Sequence, residues 1–174
     1  MQKHKEVNRY KMSQRWQEKR TSIKKYYHDI AKLIVQDQQV GNQNVIKIIC
    51  SMLFWAEGSK KINHIAFTNS DPGMIKTFIG LLRTSYTLDE SKFHVSVHLH
   101  EYHNPNEVIE FWSKTTKIPR VQFIKPYCKP HTAIRKRHDY KGCITIRYYD
   151  VKIARELTAI YNAFGEQFRG VVQR

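Results

Sequence analysis

The sequence predicts an α+β domain, in which an antiparallel sheet is backed by helices and preceded by a basic helical arm. Two segments, residues 93–103 and 143–150, alternate apolar and polar side chains with the period of a half-buried strand. Segments with helical spacing separate and follow them, as in domains that pack helices against a sheet. The 174 residues suit one domain at 41–174 with an arm at 1–40.

Charge is the strongest compositional signal. Lys and Arg number 30 against 15 Asp and Glu, which gives a formal net charge of +15. Such an excess favours phosphate-bearing partners over neutral small molecules, with anionic membrane surfaces as the main alternative. The hydrophobic fraction of 41% is enough for a folded core.

Cysteine usage and the lack of a signal segment predict where the protein resides. Cys50, Cys128 and Cys143 have no Cys-x-x-Cys spacing, and their odd number does not suggest a disulfide framework. No apolar run reaches the roughly 18 residues that span a bilayer, and no apolar signal core follows the N-terminus. We expect a protein that is not secreted, has no transmembrane segment and stays in a reducing intracellular compartment such as the cytoplasm.

Residues 1–40 are predicted to be helical because they contain neither proline nor glycine. Ten Lys or Arg lie between Lys3 and Lys32 against three acidic residues. This arm is suited to tracking phosphates along a duplex, although it could instead bind an anionic membrane or fold back on the domain. Its apolar stripe, which we expect to pack, comprises Ile23, Tyr26, Tyr27, Ile30, Leu33 and Ile34.

The next predicted element is an apolar helix over residues 45–57, with Gly58 as its C-cap. Only Lys47 and Ser51 interrupt its apolar circumference before Glu57, so we expect burial on nearly all sides. Glu57 then lies at the negative end of the helix dipole, which is unfavourable for an acid. A bound divalent cation would relieve this, since carboxylate and carbonyl oxygens are hard-metal ligands. The simpler interpretation is neutralisation by Lys60 or Lys61.

Strand and cap signals assign the rest of the domain. Residues 64–69 are predicted to form a short strand, and residues 121–127, including Lys125, to form another. The remaining helices are predicted to start at Asp71 and Pro72, at Asn104 and Pro105, and at Val151.

One face of the predicted sheet is polar and free of carboxylates. Its residue types can read base edges and hold phosphates, so we expect DNA or RNA to contact it. The alternative is an ordinary solvated strand face. The predicted contacts are His98, His100, Thr145, Arg147 and Tyr149 on the strands, the flanking loop residues Arg135, Lys136 and Arg137, and Lys60 and Lys61.

The segment HLHEYH, residues 98–103, resembles the His-x-His-x-Asp-His metal signature of metallo-β-lactamases. Tyr102 stands where that signature has its acid, and zinc would require a further converging ligand. We therefore expect solvated or nucleic-acid-facing histidines here.

A second resemblance covers most of the domain. CSMLFWAEG, residues 50–58, resembles the LAGLIDADG motif of homing endonucleases, an apolar helix that ends in an acid and a glycine. FTNSDP, at residues 67–72, is similar to the segment after the motif in compact microbial members, and EFWSKTTKIPRVQFIKP and the closing strand and helix also resemble those members. The resemblance spans roughly residues 45–165.

This resemblance implies a saddle-shaped sheet that straddles double-stranded DNA and a homodimer joined through the 45–57 helix. It implies phosphodiester hydrolysis with Mg²⁺ held by Glu57 and the Gly58 backbone. It also implies an assisting basic residue, for which Lys125 matches best and Lys60 and Lys61 are alternatives. Met52 stands where the family has glycine, and a bulky side chain keeps helix axes apart.

Two other functions remain open at this point. Relatives of this scaffold also act as non-catalytic DNA- or RNA-binding regulators or as ribonucleoprotein components. A monomeric basic adaptor without metal is the third possibility.

Overall fold

The computed structural model of the protein describes residues 2–37, 41–61, 63–130 and 139–169. The chain divides into two compact units, Met1–Asn42 and Gln43–Arg174. The described residues contain five α-helices and one four-stranded sheet, so the predicted α+β class is confirmed. In chain order the elements are α1 (Gln2–Asp37), α2 (Gln43–Glu57), β1 (Ile65–Asn69), α3 (Pro72–Ser85), β2 (Phe93–His100), α4 (Pro105–Thr116), β3 (Tyr127–Lys129), β4 (Cys143–Tyr148) and α5 (Val151–Arg169).

Two predicted helix starts are confirmed by their caps. The Asp71 carboxylate accepts the Gly73 N–H at 2.7 Å, and the Asn104 side chain accepts the Asn106 N–H at 3.0 Å. Each cap is followed by proline at the first helical position, where a missing N–H costs nothing.

The sheet is mixed, so the prediction of a fully antiparallel sheet is wrong at one strand. Its order is β1-β4-β2-β3, with β4 antiparallel to both β1 and β2 and with β3 parallel to β2. The chain between β2 and β3 passes through α4 and a 3-10 turn at Arg120–Gln122. Such a crossover returns the chain in the same direction and permits parallel pairing.

The strand predicted at residues 121–127 is also wrong. Its first part is the 3-10 turn, and Phe123 forms only an isolated bridge with Val95. Lys125 therefore lies in a connection before β3 and is exposed.

The predicted alternation on β2 and β4 is confirmed, and it separates a packed face from a polar one. The packed face meets a core to which α2, α3, α4 and α5 all contribute. The fully buried Trp112 of α4 donates its indole N–H to the Lys141 carbonyl at 2.6 Å. The core side chains of the two strands are Val95, Val97, Leu99, Ile144, Ile146 and Tyr148.

Helix α1 confirms the helical prediction for the arm, and most of its apolar stripe is exposed within its own unit. Ile30 is half-buried, and the other five stripe residues are exposed. Over the described ranges, no helix combines the length and apolarity needed to cross a bilayer.

Candidate nucleic-acid interface

The unpacked side of the sheet, here called the polar face, collects side chains from all four strands. The strand register places Arg147 beside His94, and Thr145 beside both Thr68 and Ser96. No Asp or Glu occupies any of its positions on the described strands. The polar face consists of Thr68 on β1, His94, Ser96, His98 and His100 on β2, Tyr127 and Lys129 on β3, Cys143, Thr145 and Arg147 on β4, and Tyr149 just after β4.

Arg147 lies near the middle of the polar face. Its Nη1 donates to the Ser96 hydroxyl at 2.8 Å, and the residue is half-buried. No carboxylate of the described residues forms an ion pair with it. A neutral hydroxyl thus orients a full positive charge without neutralising it, which leaves most of the guanidinium for an external acceptor.

Thr145 is less available than the sequence suggests. Its hydroxyl lies 2.8 Å from the Thr68 hydroxyl, and the residue is buried. The pair braces β4 against β1. We therefore assign Thr145 to holding the polar face in shape, although its prediction as a ligand contact stays a prediction.

Two tyrosine rings stand out from the polar face, each beside histidine. Tyr149 is 49% exposed and lies between the rings of His64 and His94, at centroid distances of 5.2 Å and 5.1 Å. Tyr127 is 57% exposed and meets the His98 ring edge-on at 5.8 Å.

The predicted acid is the last residue of α2 and is exposed. Within the described residues no ion pair involves the Glu57 carboxylate. Lys60 donates instead to the Trp55 carbonyl, and the Lys61 backbone N–H donates to the Ser59 hydroxyl at 3.2 Å. The simpler interpretation, neutralisation of Glu57 by Lys60 or Lys61, is therefore not what these side chains do.

Gly58 follows the helix as predicted, for a reason other than a left-handed cap. Its N–H donates to the Phe54 carbonyl at 2.8 Å, and it forms an antiparallel bridge with Phe67 of β1. A Cβ at this position would overlap both the ring and the carbonyl oxygen of Phe54. Glycine is required here because any side chain would clash with Phe54 in the last turn of α2.

Two charged side chains, Glu57 and Lys129, affect the Cys143 thiol on the polar face. Burial raises the pKa of this thiol, the Lys129 ammonium opposes that shift, and the Glu57 carboxylate adds to it. Glu57 and Lys129 therefore both act on the same part of the polar face.

Lys125 lies at the other edge of the sheet. The register aligns Gly58, Phe67, Ile146, Val95 and Phe123 in one row across the strands. At about 4.8 Å per strand, Gly58 and Phe123 are roughly 19 Å apart. Lys129 lies on β3 at the same edge, and its link to Glu57 is indirect, since both charges act on Cys143 between them. Lys125 remains a predicted catalytic residue.

Helices α2 and α5 leave an apolar groove uncovered. Ile49 and Trp55 of α2 are exposed, and Trp55 stacks on Tyr161 of α5 with ring centroids 5.3 Å apart. The expectation that α2 is buried on nearly all sides is therefore wrong for a single chain. The groove is lined by Met52, Trp55, Phe164, Gly165, Phe168 and Arg169.

The remaining predicted residues have different outcomes. His98 and His100 are half-buried on the polar face, whereas Arg135, Lys136 and Arg137 lie outside the described residues. Across the described part of the chain, no three His, Cys, Asp or Glu side chains are grouped to hold a metal.

Sequence reasoning missed four residues that belong to this site, namely His64, His94, Tyr127 and Lys129. The alternation on β2 already placed His94 on the polar face, and this was the one available signal. Tyr127 and Lys129 were hidden in a segment bounded by Pro126 and Pro130. Comparison with known proteins finds no match to the chain among family models, curated proteins or solved structures.

Proposed function

We propose that the protein binds nucleic acid through the polar face and hydrolyses DNA phosphodiesters as a homodimer, with a divalent cation such as Mg²⁺ at Glu57. In this proposal the sheet acts as the saddle that straddles double-stranded DNA. The observation that carries the proposal is an exposed carboxylate without an ion pair in the described chain, placed beside a polar face that has no acid of its own.

The binding part of the proposal is supported by charge and geometry. A chain with a formal charge of +15 attracts polyanions, and Arg147 is oriented by Ser96 while its charge stays unpaired within the described residues. Guanidinium groups bind phosphate and guanine through two parallel N–H donors. The arm helix α1, with its exposed basic side chains, adds phosphate contacts that carry no sequence information.

The donors at the foot of α2 fit a hard cation only in part. The Glu57 carboxylate is accessible, and the Gly58 carbonyl is the backbone donor that we assign beside it. The Trp55 carbonyl is already taken by Lys60. When bound, a divalent ion would stabilise negative charge on the attacking and leaving oxygens.

A second copy would supply what one chain lacks. Each chain brings one carboxylate to the foot of α2, and the uncovered apolar groove lies on the same helix. The groove lining is apolar except for Arg169, so two copies can meet there without the repulsion expected between other surfaces of a basic chain. Met52 and Trp55 would hold the two α2 helices farther apart than small residues would.

Cutting of duplex DNA tests this proposal. The protein is incubated with Mg²⁺ and a library of duplexes, and Glu57→Gln is compared with Glu110→Gln. Glu110 is an exposed α4 carboxylate in ion pairs with Lys114 and Arg120, so its loss changes the charge without touching the site. We expect cutting by the wild-type protein and by Glu110→Gln, and at least a hundredfold loss in Glu57→Gln with binding retained.

The second candidate function is nucleic-acid binding without cleavage, as a DNA- or RNA-binding regulator or a ribonucleoprotein component. It is favoured by the single carboxylate that the described residues bring to the foot of α2. Tight, salt-sensitive binding with no cutting at any duplex would support it. Sedimentation tests the third possibility, a monomeric adaptor, because a concentration-independent monomer in the presence of DNA would contradict the paired-helix site.

A further inference from the structure

We propose that the polar face binds unpaired bases, with Tyr149 and Tyr127 as stacking platforms toward its two ends. The inference rests on the proposed nucleic-acid binding and names the kind of target. That target is a nucleic acid in which a single-stranded segment adjoins the duplex, so that its unpaired bases lie on the tyrosines of the polar face.

The Tyr149 platform combines an exposed ring with a fixed position. The residue is 49% exposed, and its ring contacts the rings of both His64 and His94. Its backbone N–H donates to the Lys92 carbonyl at 3.3 Å, which ties it to the start of β2. Because the ring is already ordered, stacking on it costs little conformational entropy. Arg147, two residues earlier on the same face, supplies a cation for the phosphate of the stacked nucleotide.

The Tyr127 platform repeats this arrangement on another strand. The residue is 57% exposed, the His98 ring contacts its ring edge-on, and the Lys129 ammonium lies 5.9 Å from the ring centroid. The parallel pairing of Tyr127 with His98 fixes the ring on the polar face. Ring, imidazole and cation thus occur together at both places.

The spacing of the platforms suits one extended strand. The Tyr149 backbone N–H donates to the carbonyl of Lys92, the residue before β2, and Tyr127 pairs with His98 of β2. Lys92 and His98 are six positions apart in the chain. At about 3.3 Å per residue this is roughly 20 Å along the sheet. Arg147 and Ser96 lie between the platforms, so phosphate and base-edge contacts are available along the path.

The exposed rings favour unpaired bases over a duplex. In a duplex the base faces are stacked inside the helix and only their edges face the grooves. Single-stranded segments offer base faces, which stack on aromatic side chains with little dependence on sequence. The carboxylate-free strands allow the phosphates to follow the same path.

Fluorescence anisotropy with a labelled short single-stranded oligonucleotide tests the platforms. The matched control ligand is an abasic oligonucleotide of the same length, which keeps the phosphates and removes the bases. We expect Tyr149→Ala and Tyr127→Ala each to weaken binding to the base-containing strand by about tenfold or more. The Tyr→Phe variants keep the ring and are expected to bind as the wild type does.

A surface control separates stacking from general exposure. Val121 is 89% exposed, and Val121→Ala is expected to change neither affinity nor the melting temperature. Melting of each alanine variant shows whether it is folded. Where an alanine variant is unfolded, the affinities of the wild type for the abasic and base-containing strands carry the test. All variants are expected to bind the abasic strand equally.

Two results would overturn the inference. One is wild-type affinity in both folded alanine variants, and the other is equal affinity of the wild type for abasic and base-containing strands. Binding to duplex but not to single strands would refute this inference and leave the proposed function in place. Failure to bind any nucleic acid at low salt would refute both. An RNA strand of the same sequence shows whether the 2′-hydroxyl adds affinity.

Discussion

The two faces of the sheet use the same strands in opposite ways. On the packed face, side chains such as Val95, Ile146 and Tyr148 are buried and packed against their neighbours. On the polar face, Arg147 and the two exposed tyrosines are held in position by neutral groups and imidazoles, and much of their binding capacity points outward. Substitutions on the packed face should therefore cost stability, whereas those on the polar face should cost binding.

The largest stability effect is expected at Trp112. Its side chain is fully buried, and its indole N–H donates to the Lys141 carbonyl. Trp112→Ala removes this bond and opens a cavity, so we expect a loss of about 3–5 kcal/mol in the free energy of unfolding. Urea unfolding followed by circular dichroism measures it. Trp16→Ala, at an exposed α1 position, is the control, with an expected change within about 0.5 kcal/mol.

On the polar face, Arg147→Ala is expected to weaken nucleic-acid binding by about tenfold to a hundredfold with little change in unfolding free energy. Arg155→Ala is the matched control, because it removes one positive charge from an exposed position of α5. Binding isotherms at several salt concentrations separate the two, since both remove a charge but only Arg147 is oriented toward a ligand. Equal losses of affinity in the two variants would show that the polar face contributes only general electrostatic attraction.

The smallest effect is expected at Asp150, where β4 gives way to α5. Its carboxylate accepts the Lys152 and Ile153 backbone N–H groups at 3.0 Å and 3.2 Å. The bond from Ile153, with help from Lys92 and Lys152, holds the pKa of this carboxyl below its usual value. A lowered folded pKa means that the carboxylate stabilises the fold above its unfolded pKa, and that this contribution is lost as the pH falls through the folded value.

Asp150→Ala should therefore lower the unfolding free energy by about 1 kcal/mol near neutral pH, and by less in acid. Thermal unfolding of variant and wild type across the acidic range measures the difference. A gap between the two proteins that stays constant down to strongly acidic pH would contradict the assignment of Asp150 as a charged cap.

Much of the fold was predictable from local patterns, and the arrangement of the site was predictable in part. Alternation identified both faces of β2 and β4, and the Asp-Pro and Asn-Pro caps located two helix starts. Strand β3 has only three residues between two prolines, which is too short for an alternating pattern to be recognised in the sequence. Its parallel direction follows from the crossover through α4, which no local pattern encodes.

The functional residues also differ in whether the sequence alone could identify them. Glu57 is conspicuous because an acid at a helix C-terminus conflicts with the dipole, a conflict that is visible in sequence. Lys129 can be assigned to the site only from the register between β3 and β2, because it affects Cys143 through space. The Tyr149 platform includes His64, which lies just before β1 and far from β2 in the chain.

The two edges of the sheet are protected in different ways. Along β1, the Ser59 backbone N–H donates to the Ala66 carbonyl at 2.8 Å and Gly58 bridges to Phe67. At the other edge, β3 is three residues long, flanked by prolines that offer no N–H, and carries Lys129. The short length of β3, its flanking prolines and its lysine disfavour pairing with a strand from another molecule, so we expect little edge-to-edge aggregation through the sheet.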